Sequence, residues 1–212
     1  MELGNRSNIV IHDKKFIFMM LKKCGSVTMG MTILSSLGHT DLGGNNVNKV
    51  LGSETEHLDK YEVDKLKDYT KVVWVRNPYN RLVSGWFDRI HLIRNEDTMS
   101  WYGVPNTITF PDFIDWVCSI PDEEMNVHFK QQTDDITIDG RLVPNVVMKL
   151  ENLTEEWKQL RSRFNWLSEL KYHANKSKKG DYRSYYTDEL VEKVKIRFKD
   201  DLYLLNYTFE GK

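Results

Sequence analysis

The apolar positions of this chain fall into short unbroken runs separated by stretches of helical periodicity. Residues 16–21 (FIFMML) are one such run, the pattern of a strand buried on both faces. A short basic turn with a glycine, residues 22–26, follows. Val27, Met31 and Leu34, with Ile33 and Leu37 beside them, then recur at helical spacing. Residues 71–76 (KVVWVR) read as a second buried strand. Asn77 is placed to cap the next helix and Pro78 to occupy its first position, where a missing N–H costs nothing. In that helix Leu82, Val83, Trp86, Phe87 and Ile90 make a core face, while Arg81, Ser84 and Asp88 fall on the other side. Residues 110–117 predict a short helix and residues 145–150 (NVVMKL) a third strand. Thr154 is placed to cap a helix with Trp157, Leu160 and Phe164 on one face. Thr187, Asp188 and Glu189 open a last helix through Leu190, Val194, Phe198 and Leu202, and the charges over 188–201 read as its solvated face. Stretches 38–70 and 95–109 read as loop or lid insertions covering the edge of a site, the first with a short helix over 61–67. Buried strands alternating with amphipathic helices predict an α/β fold: a single domain over 1–212, with a parallel sheet flanked by helices.

Composition narrows the function classes. A chain of 212 residues can bury roughly 70% of its unfolded surface, so it needs neither disulfides nor a structural metal to fold. Thirty basic against 31 acidic residues leave a formal charge of -1, which excludes a broad nucleic-acid footprint but not a local basic pocket. Cys24 and Cys118 form neither a metal-ligand pattern nor a disulfide framework, as expected in a reducing compartment. Residues 1–15 lack the apolar core of a signal peptide, and no apolar run reaches membrane-spanning length. The expectation is a soluble, cytoplasmic chain with no membrane anchor. The four Asn-x-Ser/Thr sequons, at Asn5, Asn152, Asn175 and Asn206, then carry little weight.

A strand that runs through a basic turn into a helix builds an anion site. The first amides of a helix have no partners inside it, and its dipole favours negative charge there. Lys22 and Lys23 add cations; Ser26 and Thr28 add hydroxyl donors. In parallel sheets ligands bind outside the carboxyl ends of the strands, where both Lys22 and Arg76 fall. The triphosphate-binding pattern G-x-x-x-x-G-K-[ST] is absent, since the lysine precedes the glycine. The second strand ends in Arg76 rather than in an acidic magnesium ligand, which suits a metal-free anion site.

These residues carry a resemblance. The run 21–26 (LKKCGS) resembles the 5′-phosphosulfate loop of sulfotransferases, P-K-x-G-[GC]-T-[SN], with Leu21 for the proline, Cys24 for the first glycine and Ser26 for the threonine. The run 72–89 (VVWVRNPYNRLVSGWFDR) is similar to their 3′-phosphate motif, V-R-[DE]-P-[FY]-x-R-L-[VI]-S. Residues 126–132 (NVHFKQQ) resemble the family's His-[Trp/Phe]-x-x-Gln segment, 149–151 (KLE) its strand before a helix, and 181–207 its closing Tyr-rich segment. The likeness is nearest to the Golgi-type carbohydrate sulfotransferases, of which this looks like a shortened soluble relative.

The resemblance implies in-line transfer of a sulfuryl group, without metal, from 3′-phosphoadenosine-5′-phosphosulfate (PAPS) to a hydroxyl, most plausibly on a glycan, leaving adenosine 3′,5′-bisphosphate. It implies that Lys22 stabilises the leaving phosphate and that Lys23, Cys24, Gly25, Ser26 and Val27 form the 5′-phosphate loop. Arg76 and Ser84 would hold the 3′-phosphate, and the basic loop Lys178, Lys179 and Gly180 would close over it. For the base that takes the acceptor's proton, His128 is the first candidate, His57 the second and Glu151 the third. Trp101 and Tyr102 are candidates to stack on a sugar ring. A nucleotide-dependent phosphotransferase and a non-catalytic nucleotide-binding module are the alternatives.

Overall fold

The computed structural model describes residues 8–40, 55–56, 58–90, 102–170 and 180–211. In chain order the strands of the main sheet are β1 (Asn8–Ile11), β2 (Phe16–Met19), β3 (Thr55–Glu56), β4 (Thr70–Val75) and β5 (Val146–Lys149). Among the described residues the helices of six residues or more are α1 (Ser26–Ser36), α2 (Lys60–Lys65), α3 (Pro78–Arg89), α4 (Phe110–Ser119), α5 (Leu153–Arg163), α6 (Asp188–Arg197) and α7 (Lys199–Leu204). None of the helices among the described residues is long and apolar enough to cross a membrane. The chain forms two compact units and passes between them three times: Met1–Val75 with Asp135–Lys176, and Arg76–Asp134 with Ser177–Lys212.

The first unit holds the sheet, in the order β3-β1-β2-β4-β5. β2, β4 and β5 run parallel, with Phe16 opposite Thr70 and Val72 opposite Val146, so their carboxyl ends share one edge. This is the parallel core that the three apolar runs predict. Every residue of β2 is buried, as a strand covered on both faces requires. β1 extends the sheet antiparallel to β2 and was not among the predicted strands. α1 and α5 supply Met29, Ile33, Leu34, Trp157 and Leu160 to a core with Phe16, Phe18, Val72 and Trp74. Thr32 and Ser36 fix the far end of α1: Ser36 Oγ accepts the Ser168 N–H at 2.8 Å and donates to the Thr32 carbonyl.

Several boundaries differ from the expected ones for local reasons. α2 begins at Lys60, because Asp59 and Glu62 form a reciprocal capping box. Thr154 does not cap α5; a 3-10 turn, Leu150–Asn152, precedes it and Asn152 takes the N-cap position. The last helix breaks at Phe198 into α6 and α7.

The second unit is helical. α3, α4 and α6 pack around Tyr79, Leu82, Val83, Phe113, Ile114, Leu190, Val194 and Phe198. The caps expected there are present: the Asn77 side chain accepts the Tyr79 N–H, and the Thr187 side chain accepts the Leu190 N–H. α3 is covered more completely than its pattern predicts. Arg81 and Ser84, which fall opposite its apolar face, are only 2% and 5% exposed.

Candidate functional site

Within the first unit, residues 20–25 link β2 to α1 at the carboxyl edge of the sheet. Two left-handed residues, Lys23 (φ 66°) and Gly25 (φ 74°), reverse the chain within this short span. Gly25 suits this position. Its φ disfavours a side chain, and a Cβ there would sit 2.8 Å from Leu150 Cδ1. Since β4 lies between β2 and β5, the turns after β2 and β5 meet across its end.

Met29 N–H reaches back to the Gly25 carbonyl at 3.0 Å, so the amides of Ser26, Val27 and Thr28 precede the first α-helical bond. No acidic residue occupies the first turn of α1, and Lys22 and Lys23 are half-buried beside it. A helix end preceded by two lysines and opened by a serine carries the residue types suited to a phosphate or sulfate ester. Cys24, standing where the resembling motif has a glycine, is buried, with its Sγ 3.6 Å from the Lys22 carbonyl. A buried thiol of this kind packs the turn from within. Lys22, Lys23, Cys24 and Gly25 thus lie in the turn, and Ser26 and Val27 open α1.

Within the second unit, Arg76 precedes the Asn77 cap of α3. Its Nη2 donates to Asn80 Oδ1 at 3.0 Å. Asn80 and Ser84 are four residues apart on α3 and share a face, so the guanidinium is held along the face that carries the Ser84 hydroxyl. The main chain of Arg76 is held by Gln132, whose Oε1 accepts the Arg76 N–H at 2.9 Å while Nε2 donates to the Arg76 carbonyl at 2.8 Å. Behind Gln132 stands Asp201, 0% exposed. Asp201 Oδ2 accepts from the main-chain N–H and Nε2 of Gln132, both at 3.0 Å. Its Oδ1 accepts from the Thr133 N–H at 2.8 Å and the Thr133 hydroxyl at 2.9 Å. Asp201 therefore does not belong to a solvated helix face, as the charges over 188–201 suggest; it is an interior anchor.

His128 lies in the same unit, in a turn that Arg81 holds by donating to the carbonyls of Lys130 at 2.6 Å and Val127 at 3.0 Å. This turn packs against α3 at Gly85, where a Cβ would meet the Phe129 ring at 2.7 Å and the His128 carbonyl at 3.8 Å. Asn126 Oδ1 accepts the His128 main-chain N–H at 3.0 Å and lies 2.7 Å from Nδ1. An atom that accepts from a main-chain N–H is the amide oxygen, so Nδ1 must be the protonated nitrogen. The lone pair of the neutral ring then belongs to Nε2. Tyr102 packs edge-on against Phe129 at 5.0 Å and His128 at 5.8 Å, an arrangement that fills the interior under the turn.

Two further candidates, Glu151 and Gly180, are among the described residues. Glu151 is exposed in the 3-10 turn after β5, among the acidic residues Glu155 and Glu156 of the α5 terminus. Gly180 is exposed, with φ 71° and nothing within 4 Å of where a Cβ would stand. His57, Trp101, Lys178 and Lys179 lie outside the described residues. Asn80 and Asp201 have no site role in the reading of the sequence, and Gln132 and Asn126 enter it only through the resemblance of residues 126–132, because their partners are set by turns and tertiary packing.

A family model described as "Sulfotransferase family" matches residues 6–208. No curated protein matches the chain, and no solved structure does.

Proposed function

Because the chain belongs to the sulfotransferase family, whose chemistry is sulfuryl transfer, we propose that it uses PAPS as donor and a carbohydrate hydroxyl as acceptor. The single observation that carries the donor assignment is the bond from the Arg76 guanidinium to Asn80, one helical turn before Ser84. A bidentate cation and a hydroxyl on one helix face suit a terminal phosphate monoester, the group that distinguishes this donor from simpler adenylates. The cationic turn before α1, free of acid in the helix's first turn, by itself suits a phosphate or sulfate ester.

When bound, the donor supplies a sulfuryl group carried on a phosphate. The chain's own residues position it and offset charge, as in phosphoryl transfer. Ser26 and the amides around it hold the 5′-phosphate. Helix-end amides contribute about 0.3–1 kcal/mol, whereas a cation at about 4 Å contributes on the order of 4 kcal/mol at an effective dielectric near 20. Lys22 is therefore the group that offsets charge on the departing phosphate oxygen. His128 is the base: with Nδ1 donating to Asn126, its Nε2 accepts the proton of the attacking hydroxyl.

The test is calorimetric titration with adenosine 3′,5′-bisphosphate against ATP–Mg, paired with sulfate transfer from PAPS to a glycan panel. The expected result is bisphosphate binding, no comparable ATP–Mg binding, and transfer to at least one glycan. Arg76→Ala should weaken the bisphosphate at least tenfold and leave adenosine 5′-phosphosulfate, which has no 3′-phosphate, nearly unchanged. Preference for ATP–Mg would point to a phosphotransferase, and bisphosphate binding with no transfer to any glycan would refute the carbohydrate assignment.

A further inference from the structure

Arg76 is gripped at both ends by residues to which no role has been assigned. At its main chain, one side-chain amide takes both polar groups: Gln132 Oε1 accepts the N–H and Nε2 donates to the carbonyl. A neighbouring strand would satisfy a residue in the same way, and the effect is to fix the direction in which the arginine side chain leaves the backbone. The second hydrogen of Nε2 goes to Asp201, so the amide cannot turn over and still make its bonds. Glutamine alone offers one acceptor and two donors in this geometry; glutamate lacks the donors and methionine lacks both. Asp201 is in turn held by four donors from the consecutive residues Gln132 and Thr133. At the far end Asn80 Oδ1 receives Arg76 Nη2.

We propose that Gln132 and Asn80 are positioning residues for nucleotide selection. Gln132, backed by Asp201, sets the root of the Arg76 side chain, and Asn80 sets its fork beside Ser84, so that the protein prefers an adenine nucleotide bearing a 3′-phosphate. This rests on the donor reading above. Rigid placement of a charged fork is what turns one arginine into a selective phosphate contact, since a displacement of about 1 Å at a positioned group is enough to lose much of its effect.

The experiment compares two probes, adenosine 3′,5′-bisphosphate and adenosine 5′-monophosphate, by calorimetry on the full chain. The quantity read is the ratio of their affinities in the wild type, Gln132→Met and Asn80→Ala. Gln132→Met keeps the bulk and removes the grip; Asn80→Ala replaces a half-buried helical residue with the best helix former, so it tests the idea even where the first variant folds poorly. Each variant should lower the ratio roughly tenfold, about 1.4 kcal/mol, while monophosphate affinity stays within about twofold of wild type. A purely structural role would lower both affinities together or lower only the melting temperature. An unchanged ratio in a folded variant overturns that residue's part. A wild type that binds the two probes equally overturns the donor reading and this inference with it, whereas a selective wild type with equally selective variants overturns the inference alone.

Discussion

Asp201→Asn is the sharpest probe of the interior network. The carboxylate uses both oxygens, two donors to each. Asparagine keeps one acceptor oxygen and turns an NH2 group toward the other pair, so two bonds are lost and donors face donors. Hydrogen bonds to a charged group are worth about 1.5–3 kcal/mol each, giving roughly 3–6 kcal/mol gross. Relief from burying a charge offsets part of this, leaving a net loss of about 3–4 kcal/mol. Against a total stability on the order of 5–15 kcal/mol, that is a large share. The assay is urea unfolding followed by tryptophan fluorescence. With a slope near 2 kcal/mol/M, the midpoint should fall by roughly 1.5–2 M. Asp200→Asn, an exposed neighbour, is the control and should stay within about 0.5 kcal/mol. A midpoint shift for Asp201→Asn below about 0.5 M would mean that Gln132 and Thr133 find other acceptors.

Two further outcomes are expected. Lys22→Ala should slow turnover about a hundredfold or more, as loss of a leaving-group cation does, while changing bisphosphate affinity little; unchanged single-turnover rates would remove it from the mechanism. Burial pushes the Asp122 carboxyl up, but Arg197, bonded through both nitrogens at 2.7 Å, and Gln131 outweigh it and hold the carboxyl below its ordinary value. A depressed folded value means that the stabilisation is complete above about pH 4 and lost as pH falls through the folded value. Wild-type stability should therefore drop faster than that of Asp122→Asn below about pH 4, and parallel curves would contradict the assignment.

What was readable in the chain was what local spacing encodes. The run from Phe16 through Ser36 announces a strand, a turn and a helix, because a buried strand is continuously apolar and a helix repeats near four. Asn77 and Pro78 mark the start of α3, because capping chemistry is local. β1 escaped notice because four residues, Asn8–Ile11, carry too short a signal to separate from the chain around them. The break at Phe198 leaves the apolar spacing almost intact, so no periodic pattern reveals it. The bond between Asp201 and Gln132 was hidden for a different reason. Their bond spans 69 positions, and a charged residue near the end of an amphipathic helix looks the same whether it meets solvent or a buried amide. Arg81 likewise seemed to belong on a polar face, yet its partners are main-chain carbonyls, which no pattern of side chains displays.

That 69-position span has a consequence for biogenesis. A ribosome adding roughly 5–20 residues per second delivers Asp201 some 3–14 s after Gln132. Throughout that interval the nascent chain already carries Arg76 and the glutamine that braces it, but not the carboxylate that holds the glutamine. A transcript cut short within α6 would thus yield a polypeptide with every motif residue from Lys22 to His128 and no lock behind Gln132. The brace behind Arg76 therefore waits for a residue in the closing segment of the chain, and the last stretch of translation completes what the earlier ones begin.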